Sequence, residues 1–369
     1  MRTALARQVW LHGFPVPGRC GETAAQAERL GFDGLLLADS QNLVGDVFVE
    51  LGVLARTTHR LGLGTGVINP VTRHPAVTAA AIASVQLESG GRAVLGVGRG
   101  DSSLAQLGLA RPSTARLAEF TGQVRGFLHG ETVTVDGQAS RIGWITGRAT
   151  SPAPVELAAT GPAAIAAAAV AADRVMLTVG ADPARVAWGI QTARRARIAA
   201  GLDPATLRVG AYVNVGCHPD RAVARAMVRG STAVFAHFSA MSAGAGAALG
   251  RDDAAVIGRV GRRYDEARHG LSDAAHVASL DDEFVDRFAV VGPAAQCQAR
   301  LHRLFELGLD RVVVVPGSRD TDPELLIYGN ELLAHEVLPR PGSGRSPRQH
   351  GHVRRSMTTA PARLSSAGR

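Results

Sequence analysis

The chain has 369 residues, 46% of them apolar, and a formal charge of +8, enough to bury a large core in one big domain or two ordinary ones. All 40 basic residues are arginine, which excludes chemistry that needs an amine: a Walker-A loop, a pyridoxal or aldolase Schiff base, and a protein-kinase fold. Cys20, Cys217 and Cys297 are scattered and odd in number, and no His/Cys cluster has ligand spacing, so neither a disulfide framework nor a bound metal is expected.

The opening Met1–Trp10 lacks the apolar stretch of a signal peptide. No later run reaches the roughly 18 apolar residues that cross a bilayer, so a soluble cytoplasmic protein with no membrane partner is expected. From there short aliphatic runs alternate with Ala/Leu/Arg-rich stretches of helical period. The spacing predicts strands at Thr3–Trp10, Gly34–Ala38, Leu61–Ile68, Ala93–Val97, Val155–Ala159, Arg174–Val179, Leu207–Val215 and Arg311–Val315. Helices are predicted at Thr23–Leu30, Asp46–Thr58, Pro75–Glu88, Thr114–Leu128, Pro162–Ala171, Pro183–Ala200, Arg221–Val228 and Ala294–Leu307. Strict alternation implies parallel strands joined by right-handed crossovers. Eight units fit a single (β/α)8 barrel over residues 1–339 better than the alternative, an open doubly wound sheet.

Two segments break the alternation. Residues 131–153, after the fourth strand, carry an alternating run about Asp136-Gly137, which reads as a hairpin. Residues 231–287 read as a long insertion between the seventh and eighth strands, of the kind that shapes a substrate site or an oligomer contact. Residues 340–369 hold seven arginines and no acid, so the rest of the chain carries only +1. That tail is expected to be disordered, and nucleic acid is not an expected partner even though clustered basic residues bind phosphate backbones.

The motifs with chemical content lie at predicted strand ends. Asp39 and Ser40 close the second strand, where barrel enzymes place catalytic groups, although either also serves as a cap or turn former. The third strand, Leu61–Pro70, holds three glycines, which mark a bulge, a close backbone approach to a ligand, or a tightly packed wall. The fourth ends Gly96-Val97-Gly98-Arg99-Gly100-Asp101-Ser102, a glycine-rich turn whose N–H groups can face an anion or a flat ring; as a dinucleotide fingerprint it sits on the wrong unit. The fifth runs through Ala159-Thr160-Gly161-Pro162 into an alanine helix, which makes either a phosphate seat without lysine or an ordinary capped helix. Trp10, His12, Arg73 and His74 lie near strand ends and can line a pocket or its rim.

Taken together, Gly31–Ser40, Leu61–Pro75, Leu87–Leu104, Ala158–Pro162 and Asp286–Pro293 resemble the luciferase-like flavin-dependent oxidoreductases. The likeness is greatest to the deazaflavin-using branch that includes methylenetetrahydromethanopterin reductase. The resemblance implies a luciferase-like TIM barrel with insertions after strand 4 and between strands 7 and 8. It implies coenzyme F420, with FMN as the alternative, a small-molecule substrate and a homodimer. It also implies a cis peptide at Gly66–Val67 behind the ring, the loop Gly98, Gly100, Asp101 and Ser102 beside it, and Asp39 close by. The phosphate would fall to Ala159, Thr160, Gly161 and Pro162, with Thr178 and Val179 alongside. Many relatives have Asp-His at the end of strand two where this chain has Asp39-Ser40. That departure disfavours an imidazole-based alcohol dehydrogenase and favours reduction of a C=C or C=N bond, with Asp39, Ser40 and Asp101 as catalytic residues. The remaining alternatives are an FMN-dependent monooxygenase and a non-catalytic flavin-binding or structural barrel.

Overall fold

The structure is a computed structural model, described over residues 7–145, 150–241, 244 and 248–338. The tail 340–369 lies outside the described residues. Eight parallel strands close a barrel: β1 (Gln8–Gly13), β2 (Gly34–Leu37), β3 (Gly62–Thr65), β4 (Ala93–Val97), β7 (Val155–Ala159), β8 (Arg174–Leu177), β9 (Val209–Cys217) and β11 (Arg311–Val315). They neighbour in the order β9-β11-β1-β2-β3-β4-β7-β8, and β8 pairs back onto β9. Closure removes every free sheet edge from this set. The hairpin β5–β6 (Val133–Val135, Gln138–Ser140) follows β4, turning through Asp136 and Gly137, both at positive φ. The short strand β10 (Val290–Gly292) adds to β9.

Helices α1 (Cys20–Leu30), α2 (Val47–Thr57), α3 (Pro75–Glu88), α4 (Ser102–Gln106) and α5 (Thr114–Leu128) belong to the first half. The second half adds α6 (Pro162–Ala171), α7 (Pro183–Ala199), α8 (Arg221–Ala240), α9 (Arg251–Arg263), α10 (Asp282–Phe288), α11 (Ala294–Glu306) and α12 (Pro323–Val337). Aspartates cap α2, α7, α8, α10 and α12 by accepting first-turn N–H groups, which satisfies donors a helix leaves open.

Several boundaries differ from the sequence reading. The first strand starts at Gln8 and extends to Gly13, because its ladder with β11 begins at Arg311. The third ends at Thr65, where the chain bulges, and Ile68 rejoins as a single bridge to Val97. Helix α8 continues twelve residues past Val228, so the insertion begins inside a helix. Gly230 weakens the local pattern, yet a Cβ there would meet the Gly270 carbonyl at 2.8 Å. Tertiary packing of the returning insertion needs glycine at that point and overrides propensity.

The barrel floor is sealed by charge and aromatic packing. Glu156 accepts from Arg174 and from Arg311 (2.6 Å), while Arg174 also reaches Asp310 at 2.9 Å. The Arg311 guanidinium lies 3.9 Å from the Trp10 ring centroid. Trp10 fills the space that a side chain at Gly34 or Gly62 would need, at 2.3 and 2.5 Å. Leu36, Val94, Met176, Tyr212 and Val313 fill the layers above.

Candidate active site

A cavity of about 490 Å³ opens at the C-terminal strand ends, where barrel sites are built and within the range of small-molecule pockets. Its lining contains Asp39, Ser40, Gly66, Val67, Gly98, Gly100, Asp101, Ser102, Ala159, Thr160, Gly161 and Thr178. Residues from strands two to six of the predicted set therefore converge. Val179 is fully buried and Pro162 starts α6; neither lines the cavity.

One wall is the bulge after β3. The Gly66–Val67 peptide is cis, the Gly66 N–H donates to Leu37 O at 2.7 Å, and the Gly66 carbonyl accepts from His12 Nε2 at 2.8 Å. The glycines around it serve the protein's own packing more than a ligand. A Cβ at Gly64 would lie 2.4 Å from Val94 O, one at Gly96 2.2 Å from Thr65 O, and one at Gly98 2.6 Å from Val67 Cγ2. Close approach of β3 to β4 therefore explains these glycines, and the surface offered to the cavity is the Gly66–Val67 ledge. Tyr212 also lines the cavity, its hydroxyl buried without a hydrogen-bond partner. Burial pushes that phenol well up, so it stays a donor.

A second wall, two strands round the barrel, is the entry to α6 after β7. Thr160 and Thr178 share a hydroxyl hydrogen bond of 2.5 Å. Gly161 precedes the helix in extended conformation with no side-chain cap, and Pro162 is the first helical residue. The first-turn N–H groups thus stay open to an anion.

The carboxylates are strongly engaged. Asp39 is buried and accepts from Arg73 Nη1 at 2.6 Å and Gln41 Nε2 at 2.8 Å. Burial pushes its carboxyl up, more than the Arg73 charge brings it down. Arg73 also reaches Asp46 at 2.8 Å, so it supports the site from behind the lining. His74 caps α3, Trp10 belongs to the floor, and of these four early residues only His12 lines the cavity.

Asp101 stands at the centre of a cluster that sequence spacing did not reveal. Arg111 Nη2 pairs with Asp101 and, at 2.6 Å, with Glu266. His237 Nε2 lies 3.7 Å from Asp101 and 3.4 Å from Glu266, stacked flat on Tyr264 at 3.6 Å. Burial pushes Asp101 up, but His237, His269 and Arg111 outweigh it and hold it below the usual carboxylate range. Burial pushes His237 down, and Asp101 and Glu266 outweigh that and raise it. Asp101, His237 and Glu266 bring their ligand atoms within 4.8 Å of one another, a spacing suited to a metal, although the Arg111 guanidinium already supplies the cation. His237, Glu266 and His269 all come from the 231–287 insertion, far from Asp101 in sequence.

A closed parallel barrel with its cavity between a β3 bulge and an uncapped helix start defines the class. Residues 3–311 match the profile of the luciferase-like monooxygenase family, and the chain belongs to it. It is 30% identical over 315 residues to the 5,10-methylenetetrahydromethanopterin reductase of Methanolobus tindarius, covering 84% of this chain and 94% of that one. It is 35% identical over 182 residues to the F420-dependent glucose-6-phosphate dehydrogenase of Nakamurella multipartita, 45% of this chain and 54% of the relative. The solved coenzyme F420-dependent tetrahydromethanopterin reductase of Methanopyrus kandleri superimposes with a TM-score of 0.69 at 21% identity, covering 90% and 99% of the two chains. At that identity the likeness is one of fold. No helix among the described residues is long and apolar enough to cross a membrane.

Proposed function

We propose that the chain is an F420-dependent oxidoreductase that transfers hydride between the deazaflavin and a small organic substrate, with reduction of a C=C or C=N bond as the preferred reaction. The observation that carries this reading is the pairing, across one 490 Å³ cavity, of an apolar ledge at Val67 with an anion seat at Thr160, Thr178 and the start of α6. A flat ring carrying a phosphate-bearing side chain fits that donor set: the hydroxyls and open N–H groups suit the phosphate, and Val67 and Gly66 back the ring. The relatives whose names state F420 dependence, glucose-6-phosphate dehydrogenases 32–35% identical over about half of this chain, support F420 over FMN.

Bound there, the deazaflavin supplies two-electron hydride chemistry. The protein's share is binding, orientation and the proton. Tyr212 offers a buried hydroxyl donor to the cavity. Asp39, paired with Arg73 and with Ser40 beside it, is the cavity carboxylate whose affinity for a proton burial raises. Asp101, held ionised by its cationic neighbours, anchors the insertion over the barrel. The test is anaerobic: purified protein is mixed with reduced F420 and a panel of enones and imines, and deazaflavin oxidation is followed at its visible band. Reduced FMN with oxygen is run in parallel. Substrate-dependent F420 oxidation supports the proposal. Oxygen consumption with FMN and none with F420 rejects it in favour of a monooxygenase.

A further inference from the structure

The insertion and the loop after β11 add two groups to the cavity: His269, whose Nδ1 side faces the Asp101 network, and Arg319, which no carboxylate among the described residues pairs with. The carboxylates that line the cavity, Asp39 and Asp101, are both ion-paired, the second to Arg111. Arg111 is itself shared with Glu266. Arg99 is exposed at the rim, its Nε on the Pro112 carbonyl. Arg319 is different: it lines the cavity, is half-buried, and has no carboxylate at ion-pair distance among the described residues. Among the described residues its one side-chain hydrogen bond goes to the His269 carbonyl, 3.1 Å from Nη1, which leaves most of its five N–H donors unused there.

The surroundings hold Arg319 in place. Its backbone N–H donates to Gly270 O at 2.9 Å. The preceding Ser318 hydroxyl accepts from Gly230 N at 2.9 Å and donates to Met227 O at 2.9 Å, tying the loop to α8. Asp320 accepts from Ser272 N and Oγ. His269 lines the same part of the cavity, with Nδ1 2.8 Å from the Tyr264 hydroxyl. Tyr264 is kept protonated by burial and the nearby carboxylates, and no other acceptor is within hydrogen-bond distance of its hydroxyl among the described residues. Nδ1 is thus engaged by Tyr264 and also lies 3.8 Å from Asp101 Oδ2, while no hydrogen bond among the described residues uses Nε2, which leaves that edge of the imidazole to a ligand. Helix α8 lines the same cavity with Ser231, whose hydroxyl is spent on Val228 O at 3.0 Å, and with the apolar Val234, Phe235 and Phe238.

We infer that Arg319 and His269 form an anion subsite that takes the carboxylate of a substrate whose remaining body is apolar and lies along α8. A half-buried guanidinium without a counter-ion favours an anionic partner, and a wall of Val and Phe offers nothing to sugar hydroxyls. The cofactor's phosphate seat lies on β7 and β8, three and two strand positions round the barrel from β11, so the two anion sites are separate. The inference rests on the cofactor reading above for the place of the ring.

The experiment uses the full chain saturated with oxidised F420 and isothermal titration of benzoate, cinnamate and hexanoate beside their primary amides. At least one acid is expected to bind one-to-one, its amide about tenfold or more weaker. Arg319→Gln is expected to bring the acid down to the amide's affinity while leaving amide and F420 affinities within about twofold. The inference is overturned if no acid binds saturably, if acid and amide bind alike, or if Arg319→Gln spares the acid. It is equally overturned if the variant instead weakens F420, which assigns the arginine to the cofactor's own anionic tail. The acid and amide comparison needs no variant, so it decides the matter even if Arg319→Gln misfolds. Should the chain fail to bind F420, the cofactor reading falls, and the same titrations on the cofactor-free chain still judge the subsite.

Discussion

Replacing Arg73 by methionine strands the Asp39 carboxylate, and the structure sets the size and pH dependence of the loss. The Asp39 side chain is 1% exposed and Arg73 14%, so water cannot replace the missing cation; Gln41 is the one hydrogen-bond partner left. Breaking a buried pair from one side costs about 3–5 kcal/mol. The partial exposure of Arg73 and its second partner, Asp46 at 49%, place the expected loss near the lower end, about 3 kcal/mol, or about 4 °C in Tm. Asp39 already has a folded-state value raised by burial, and removing Arg73 raises it further. Below the ordinary carboxylate value Asp39 is protonated in folded and unfolded states of both proteins and contributes no difference. As pH rises through the wild-type folded value and on towards the variant's higher one, the deficit of Arg73→Met must therefore grow. Urea unfolding of both proteins from about pH 4.5 to about pH 7.5 reads it directly. A deficit that is the same at both ends would refute the reasoning, because it would come from lost packing on Phe48, whose ring centroid lies 5.1 Å from the guanidinium.

Further outcomes follow from the same geometry. Gly98→Ala places a Cβ 2.6 Å from Val67 Cγ2 and displaces the ledge; F420 affinity, read by deazaflavin fluorescence, is expected to fall about tenfold while the fold persists. His237 has a raised folded-state value, so its stabilisation is complete below the ordinary imidazole value and is lost as pH rises through the folded one. The stability gap between wild type and His237→Gln is thus widest near pH 6 and closes towards about pH 9, as thermal unfolding across that range will show. Glu156→Ala leaves Arg174 and Arg311 facing each other at the barrel floor, and chemical denaturation should register a loss of about 3–5 kcal/mol. Glu156 belongs to the barrel floor and His237 to the network at its mouth, so the stability losses of these two variants should add.

Much of the barrel was legible because its strands are short aliphatic runs, such as Arg311–Val315, set against alanine helices such as Pro162–Ala171. The two irregular segments were legible as breaks in that rhythm. Their contents were not. The predicted helix ends at Val228, whereas α8 runs on to Ala240, and the Gly270 carbonyl lying against Gly230 explains why a glycine stands inside it. The third-strand glycines read as a bulge, a ligand approach or a tightly packed wall; Trp10, Val94 and Thr65 fill the space in front of Gly62, Gly64 and Gly96, which decides for the wall there, and the deciding partner lies on another strand and leaves no mark on local spacing. The site carboxylates were located by their place at strand ends, but their protonation depends on Arg73, Arg111 and His237. Asp101 and His237 lie on opposite sides of the barrel sequence and meet only when the insertion folds back, so no motif joins them.

The central claim is that Thr160, Thr178 and the start of α6 seat the phosphate of a deazaflavin whose ring rests at Val67. It is tested most directly by equilibrium titration of the full chain with oxidised F420 and with FMN, repeated on the Thr160→Val, Thr178→Val double variant. One-to-one F420 binding, FMN weaker by about tenfold or more, and a loss of about tenfold in the variant are the predicted results. Tighter binding of FMN, or an F420 affinity untouched by removing both hydroxyls, would contradict the account.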